Sequence, residues 1–132
     1  MSTIIKNPET KEEFKIYYNL RWKILRKPLG EKLGKEKDNR ENESIHLMMK
    51  NLDKNNVLAV GRLHFINVSN AEAQIRFMAV DEEYQGRGYG SLILNHLEKI
   101  AKEKGSMKIL LHAREASLDF YKKNGYVIKK KS

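Results

Sequence analysis

Cysteine is absent from the 132 residues, which excludes both a disulfide framework and a thiolate nucleophile. Long apolar runs are absent too, so nothing in the chain can span a membrane as a helix. The opening stretch Met1-Ser2-Thr3-Ile4-Ile5-Lys6 has no extended apolar core of the kind a signal peptide carries. The four histidines and the scattered acids show no metal-ligand spacing, so no metal is expected. Proline occurs only at Pro8 and Pro28, where it starts and stops a helical pattern. These absences leave a cytoplasmic protein of one domain covering residues 1–132, with a core of 40% hydrophobic residues.

Acidic charge is in short supply, and the net charge is +9. A nucleic-acid partner is one reading of such a surplus. The 26 basic residues, however, divide evenly, 13 before residue 61 and 13 after, and most sit among acids. Only Lys129-Lys130-Lys131 forms an unmixed cluster, as a solvated tail would. A diffuse basic surface better suits recruitment of a small polyanion.

The pattern along the chain alternates helix and strand. Thr3 to Lys6 reads as a strand. Asn7-Pro8-Glu9, or alternatively the Thr10 and Glu13 capping box, opens a helix carrying Phe14, Tyr17, Tyr18, Arg21, Trp22 and Leu25 to about Arg26. Residues 29–43 are polar, with two glycines, and read as a mobile loop. Strands follow at Ile45 to Met49, Val57 to Ile66 and about Ala73 to Val80, consecutive and antiparallel. From Gly88 to Lys104 a helix buries Leu92, Ile93, Leu97, Ile100 and Ala101, with a Glu98–Lys102 pair outside and Gly105 as its C-cap. Met107 to Leu111 is a buried strand, parallel to the one before the helix because a crossover connects them. A short helix over about Glu115 to Lys123 and a strand starting at Tyr126-Val127-Ile128 complete an α/β chain with a mixed sheet.

Between the third central strand and the long helix lies Gln85-Gly86-Arg87-Gly88-Tyr89-Gly90. A glycine-rich turn that opens directly into a helix gathers free N–H groups where the macrodipole favours an anion, so it can hold a phosphate or pyrophosphate. It is neither GxGxxG nor a P-loop, because the glycine spacing differs and the lysine-hydroxyl pair is missing.

This string resembles the Q/R-x-x-G-x-G/A pattern of the GNAT superfamily, the acyl-CoA-dependent N-acetyltransferases. Phe120-Tyr121-Lys122-Lys123-Asn124-Gly125-Tyr126 is similar to the F-Y-x-x-x-G-F/Y element of the same family. The two motifs cover roughly residues 73 to 128. The resemblance implies a GNAT-like fold and acetyl-CoA as cosubstrate. It implies that the backbone of Met78, Ala79 and Val80 pairs with the pantetheine arm. Amides from Gln85, Gly86, Arg87, Gly88, Tyr89 and Gly90 would wrap the pyrophosphate, with Arg87 adding a charged donor. It also implies that Tyr121 packs on the cofactor and protonates the departing thiolate. Family members usually close the sheet with a final hairpin, whereas this chain ends at Ser132. A shortened C-terminus leaves a sheet edge that a homodimer formed by strand exchange would cover.

The base is open. Counting back from Gln85, the position where the histone-acetylating branch carries a glutamate is Gln74, which accepts no proton usefully. Glu72 is the nearest acid, on the same strand face. A water chain using Glu72, His64 or His112 is the alternative. Asp38, Glu41 and Glu43 either attract a cationic amine or simply keep the loop solvated, and His46 sits at the loop's end. The acceptor implied is a primary amine on a small molecule or a lysine side chain, reached by direct transfer in a ternary complex. The rival from another class is a catalytically weak acyl-CoA-binding or regulatory module.

Overall fold

The computed structural model describes residues 1–66, 69, 71–111 and 117–127. Its sheet runs in chain order, β1 (Thr3–Lys6), β2 (Ile45–Asn51), β3 (Asn56–Phe65), β4 (Glu72–Val80) and β5 (Lys108–Leu111). The first four strands are antiparallel, and β5 joins β4 in parallel after the crossover through helix α2 (Tyr89–Glu103). Helix α1 (Lys11–Leu25) covers the opposite face of the sheet, and a short α3 (Leu118–Lys123) follows β5. The α/β class and the mixed sheet are as expected. Among the described residues no helix is long and apolar enough to cross a membrane.

Helix α1 starts at the second of its two candidate caps. Thr10 Oγ1 accepts from the Glu13 amide at 3.1 Å, while Asn7 instead donates to the His46 carbonyl. The Glu13 side chain turns back to accept from Glu9 N–H at 3.0 Å. Its other carboxylate oxygen accepts from Lys6 at 2.7 Å and Lys50 at 3.1 Å, tying α1 to β1 and β2. The Lys6 hydrogen bond is the main reason its pKa falls from 4.5 to about 2. A depressed carboxylate pKa stabilises the fold above the unfolded value and loses that contribution as pH falls through the folded one. Glu13→Gln is therefore expected to lower stability by about 1–2 kcal/mol at pH 7. The gap from the parent protein should close between pH 4.5 and about 2 in urea melts.

Three details of the sequence reading are corrected. Helix α2 buries Gly90, Ile93, Leu94, Leu97 and Ala101, and Leu92 is exposed, because the contact stripe is rotated by part of a turn. Glu98 accepts from the Tyr126 hydroxyl rather than pairing with Lys102. Met107 is 92% exposed and β5 is only half-buried. Val127 is exposed, while Ile128, and the start of the expected helix at Glu115, lie outside the described residues.

The feature that shapes the site is a bulge where β3 and β4 lose register between Val60 and Arg62. Phe77 has φ of +57° there, a conformation that side chains other than glycine's seldom adopt. Two successive residues, Arg76 and Phe77, consequently serve the α1 side, and Met78 and Val80 turn toward the α2 core. Gly61 lies in the skipped register opposite. A Cβ there would stand 2.7–2.8 Å from Met78, Ile93 and Leu97, so glycine is what lets α2 lie against the bulge.

Candidate active site

Strand β5 pairs with β4 only from Glu72 to Ile75. Beyond that point β4 keeps β3 on one side, through Ala79 and Val80, and no described strand on the other. The sheet opens into a groove of about 450 Å³. Met78, Ala79 and Val80 form its floor, Gln85, Gly86, Gly88, Tyr89 and Gly90 one end, and Phe120 and Tyr121 a wall. Segments some forty residues apart in the chain therefore meet at one cavity. Ile24 of α1 and Lys123 of α3 also line it, and no described lining residue is acidic.

The glycine end has the geometry expected of an anion cradle. Asp81 accepts from the Glu83 amide and starts a single 3-10 turn over Glu82–Tyr84. The Gln85 side-chain amide donates back to the Val80 carbonyl at 3.1 Å, pinning the turn to the strand. Gly86 and Gly88 have φ of +81° and +82°. Gly88 caps α2 without any side-chain hydrogen bond, and the first turn of the helix carries no acid. Its leading amides are thus unused by the helix and free of a competing anion. Gly90 is needed for closeness rather than φ, since a Cβ would meet Phe120 at 3.3 Å and Val80 at 3.4 Å.

The groove collects nine of the residues expected around a cofactor but not Arg87. Its guanidinium lies 5.1 Å from the centre of the Tyr84 ring and lines a neighbouring hollow with Asp53 and Lys54. Glu72 is not brought to the groove either. It opens β4 six residues before Met78, about 20 Å along an extended chain, opposite Lys108 of β5. His64 is buried on the α1 side, with Nδ1 3.2 Å from Arg62, and burial and the neighbouring Arg62 charge hold its pKa low. His112 lies outside the described residues. Tyr121 is buried, with its ring edge-on to Phe120 at 5.1 Å and Tyr126 at 6.2 Å.

The segment expected to be a mobile loop is instead pinned by an ion-pair network. Glu41 accepts from Arg21 at 2.9 Å and Tyr18 at 3.2 Å through one oxygen. Its other oxygen accepts from Arg62 at 2.8 Å and the Asp38 amide at 2.9 Å. Asp38 also accepts from Arg62, and Arg40 pairs with Glu43 at the surface. Burial works against the Asp38 charge, yet the Arg62 hydrogen bond holds its pKa below the usual carboxylate range. Asp38 and Glu41 are therefore counter-ions to arginines rather than free acids. His46, at the end of this segment, is buried, its Nε2 donating to the Glu41 carbonyl and its Nδ1 accepting from Tyr17. Burial is the main cause that lowers its pKa. The readable signal for this network was a charged residue on an apolar stripe, Arg21 within the helical pattern and Arg62 within the strand. Among the described residues no group of acids and histidines has the arrangement of a metal site.

A mixed sheet that parts over a groove ending in a glycine turn and a helix N-terminus is an α/β arrangement suited to an extended, anionic ligand. The chain matches the Acetyltransferase (GNAT) family over residues 11–126. It is 27% identical over 126 residues to YjcF of Bacillus subtilis (strain 168), an N-acetyltransferase itself uncharacterised, covering 96% of this chain and 85% of that one. It is 36% identical over 62 residues to a glucosamine 6-phosphate N-acetyltransferase of Trypanosoma brucei brucei, 47% of this chain and 42% of the relative. In fold it is similar to a predicted acetyltransferase from Clostridium acetobutylicum solved with acetyl-CoA. The TM-score is 0.76 at 18% identity, covering 99% of this chain and 94% of that one. The chain belongs to the GNAT acetyltransferase family, and is an acyl-CoA-dependent acetyltransferase.

Proposed function

We propose that this chain moves an acetyl group from acetyl-CoA to a primary amine by direct transfer in a ternary complex. The observation that carries the reading is the convergence of Met78–Val80, the glycine turn and Tyr121 on one groove. Backbone groups of Met78, Ala79 and Val80 pair with the pantetheine arm as an added strand would. Amides from Gln85 to Gly90 hold the pyrophosphate, with Arg87 at the outer rim. A backbone N–H beside Met78 polarises the thioester carbonyl. Tyr121 gives its hydroxyl proton to the sulfur as the C–S bond breaks. Glu72 has no part in this reading, since it stands at the wrong end of β4. The described groove lining holds no carboxylate, so the amine sheds its proton through water.

Thiol release settles the matter against the binding-module alternative. Incubated with acetyl-CoA and a panel of primary amines, the protein is expected to liberate free CoA in an amine-dependent way, one acetylated product per thiol. Tight acetyl-CoA binding without thiol release from any amine would instead establish a binding module.

A further inference from the structure

Phe77, the residue in the left-handed bulge, has four guanidinium groups around its ring. Arg21 lies 4.3 Å from the ring centre, Arg62 4.7 Å, Arg76 4.7 Å and Arg26 5.5 Å. A ring quadrupole tolerates one or two such neighbours, but four like charges around one side chain need anions. The available carboxylates are unevenly shared. Glu41 and Asp38 are drawn to the fully buried pair, Arg21 and Arg62, whose charges have no access to water. Even so, the Nε atoms of both buried arginines have no hydrogen-bond partner among the described residues.

What remains for the two solvent-reaching arginines is slight. Among the described residues Arg76 has one carboxylate partner, Asp38 Oδ2 at 3.5 Å, at the limit of a hydrogen bond. Its side chain is 28% exposed. Among the described residues Arg26 has one carboxylate partner, the surface residue Glu31 at 3.4 Å, and otherwise donates to the backbone carbonyls of Lys35 and Leu25. Burial lowers the pKa of Arg76, and the charges of Arg62, Arg26 and Arg21 lower it further, while Asp38 opposes them. Along the chain, Phe77 immediately precedes the groove-floor residue Met78, and Arg26 lies two residues beyond the groove-lining Ile24.

We propose that the amine acceptor carries an anionic group, a phosphate or a carboxylate, and that Arg76 with Arg26 holds it at the bulge. This rests on the acetyl-transfer reading and narrows its acceptor. Guanidinium groups suit either anion, because their paired N–H donors match two oxygens at once. An acceptor whose only charge is its ammonium group would meet repulsion at the same place.

The test compares matched acceptors by free-CoA release: glucosamine 6-phosphate against glucosamine, O-phosphoethanolamine against ethanolamine, and lysine against cadaverine. The anionic member of at least one pair is expected to have a kcat/KM at least tenfold higher, and the winning pair tells phosphate from carboxylate. Arg76→Gln should shrink that ratio about tenfold, chiefly through the acceptor KM, and Arg76→Lys should restore part of it. Acetyl-CoA binding by calorimetry reports that each variant is folded. If Arg76→Gln does not fold, the ratio in Arg26→Gln takes its place. Equal or inverted preferences in all three pairs, or a ratio indifferent to loss of the arginine charge, overturn the anion subsite while leaving acetyl transfer standing. No thiol release with any amine overturns both.

Discussion

Tyr121→Phe is expected to lower kcat by about 100-fold or more, the range general acid catalysis supplies, with acetyl-CoA affinity nearly unchanged. The substitution removes a single oxygen. The ring keeps its edge-on neighbours Phe120 and Tyr126, so the groove wall stays in place. What disappears is the proton that neutralises the leaving thiolate. Steady-state kinetics with calorimetric acetyl-CoA binding separates these effects, because a packing role would move affinity and turnover together. A kcat equal to that of the parent protein would remove Tyr121 from proton transfer and leave it as a wall.

The largest effect on stability is expected at Glu41. Among the described residues, Glu41→Ala leaves Arg21 without a carboxylate partner and Arg62 with Asp38 alone, both guanidiniums being fully buried. Breaking a buried pair by removing one partner costs about 3–5 kcal/mol, because the remaining charge is stranded out of water. For a chain of this length the corresponding fall in Tm is on the order of 10 °C. Glu43→Ala, two residues away, removes an exposed pair with Arg40 and should cost less than about 1 kcal/mol. Thermal unfolding of the two variants side by side is the measurement. Equal losses would mean that the network contributes nothing beyond a surface pair. Glu41 also holds residues 36–41 against the face of the sheet that carries Phe77.

The glycine turn was legible because its constraints are local. A strand, a turn needing positive φ at Gly86 and Gly88, and a helix without a side-chain cap are all written within about fifteen residues. The Thr10–Glu13 cap and the antiparallel-then-parallel strand order were readable for the same reason. Which face a helical residue shows is less local. Leu92 and Leu94 are both apolar and near-equivalent in the pattern, and only the lie of α2 over Gly61 exposes one and buries the other.

The acidic segment was misread because acids in a polar stretch look alike in a linear chain. Asp38 and Glu41 differ from Glu43 only in what stands above and below them, and Arg62 comes from a strand more than twenty residues away. Glu72 stands away from the groove for a related reason. It shares a strand with Met78, but sharing a strand places it about 20 Å off, and the groove opens at the other end.

By itself, then, the sequence determined most of the elements, their order, the glycine turn and the family, since each depends on residues close together in the chain. Tertiary structure alone decided that β4 parts from β5 after Ile75, and that Phe77 is forced into a bulge opposite Gly61. It also decided that buried arginines, with Asp38 and Glu41 as their counter-ions, surround Phe77 on the α1 face of the sheet. Charges and strand registers set by distant partners carry no short-range signature, because burial and pairing are properties of the folded neighbourhood rather than of the residue.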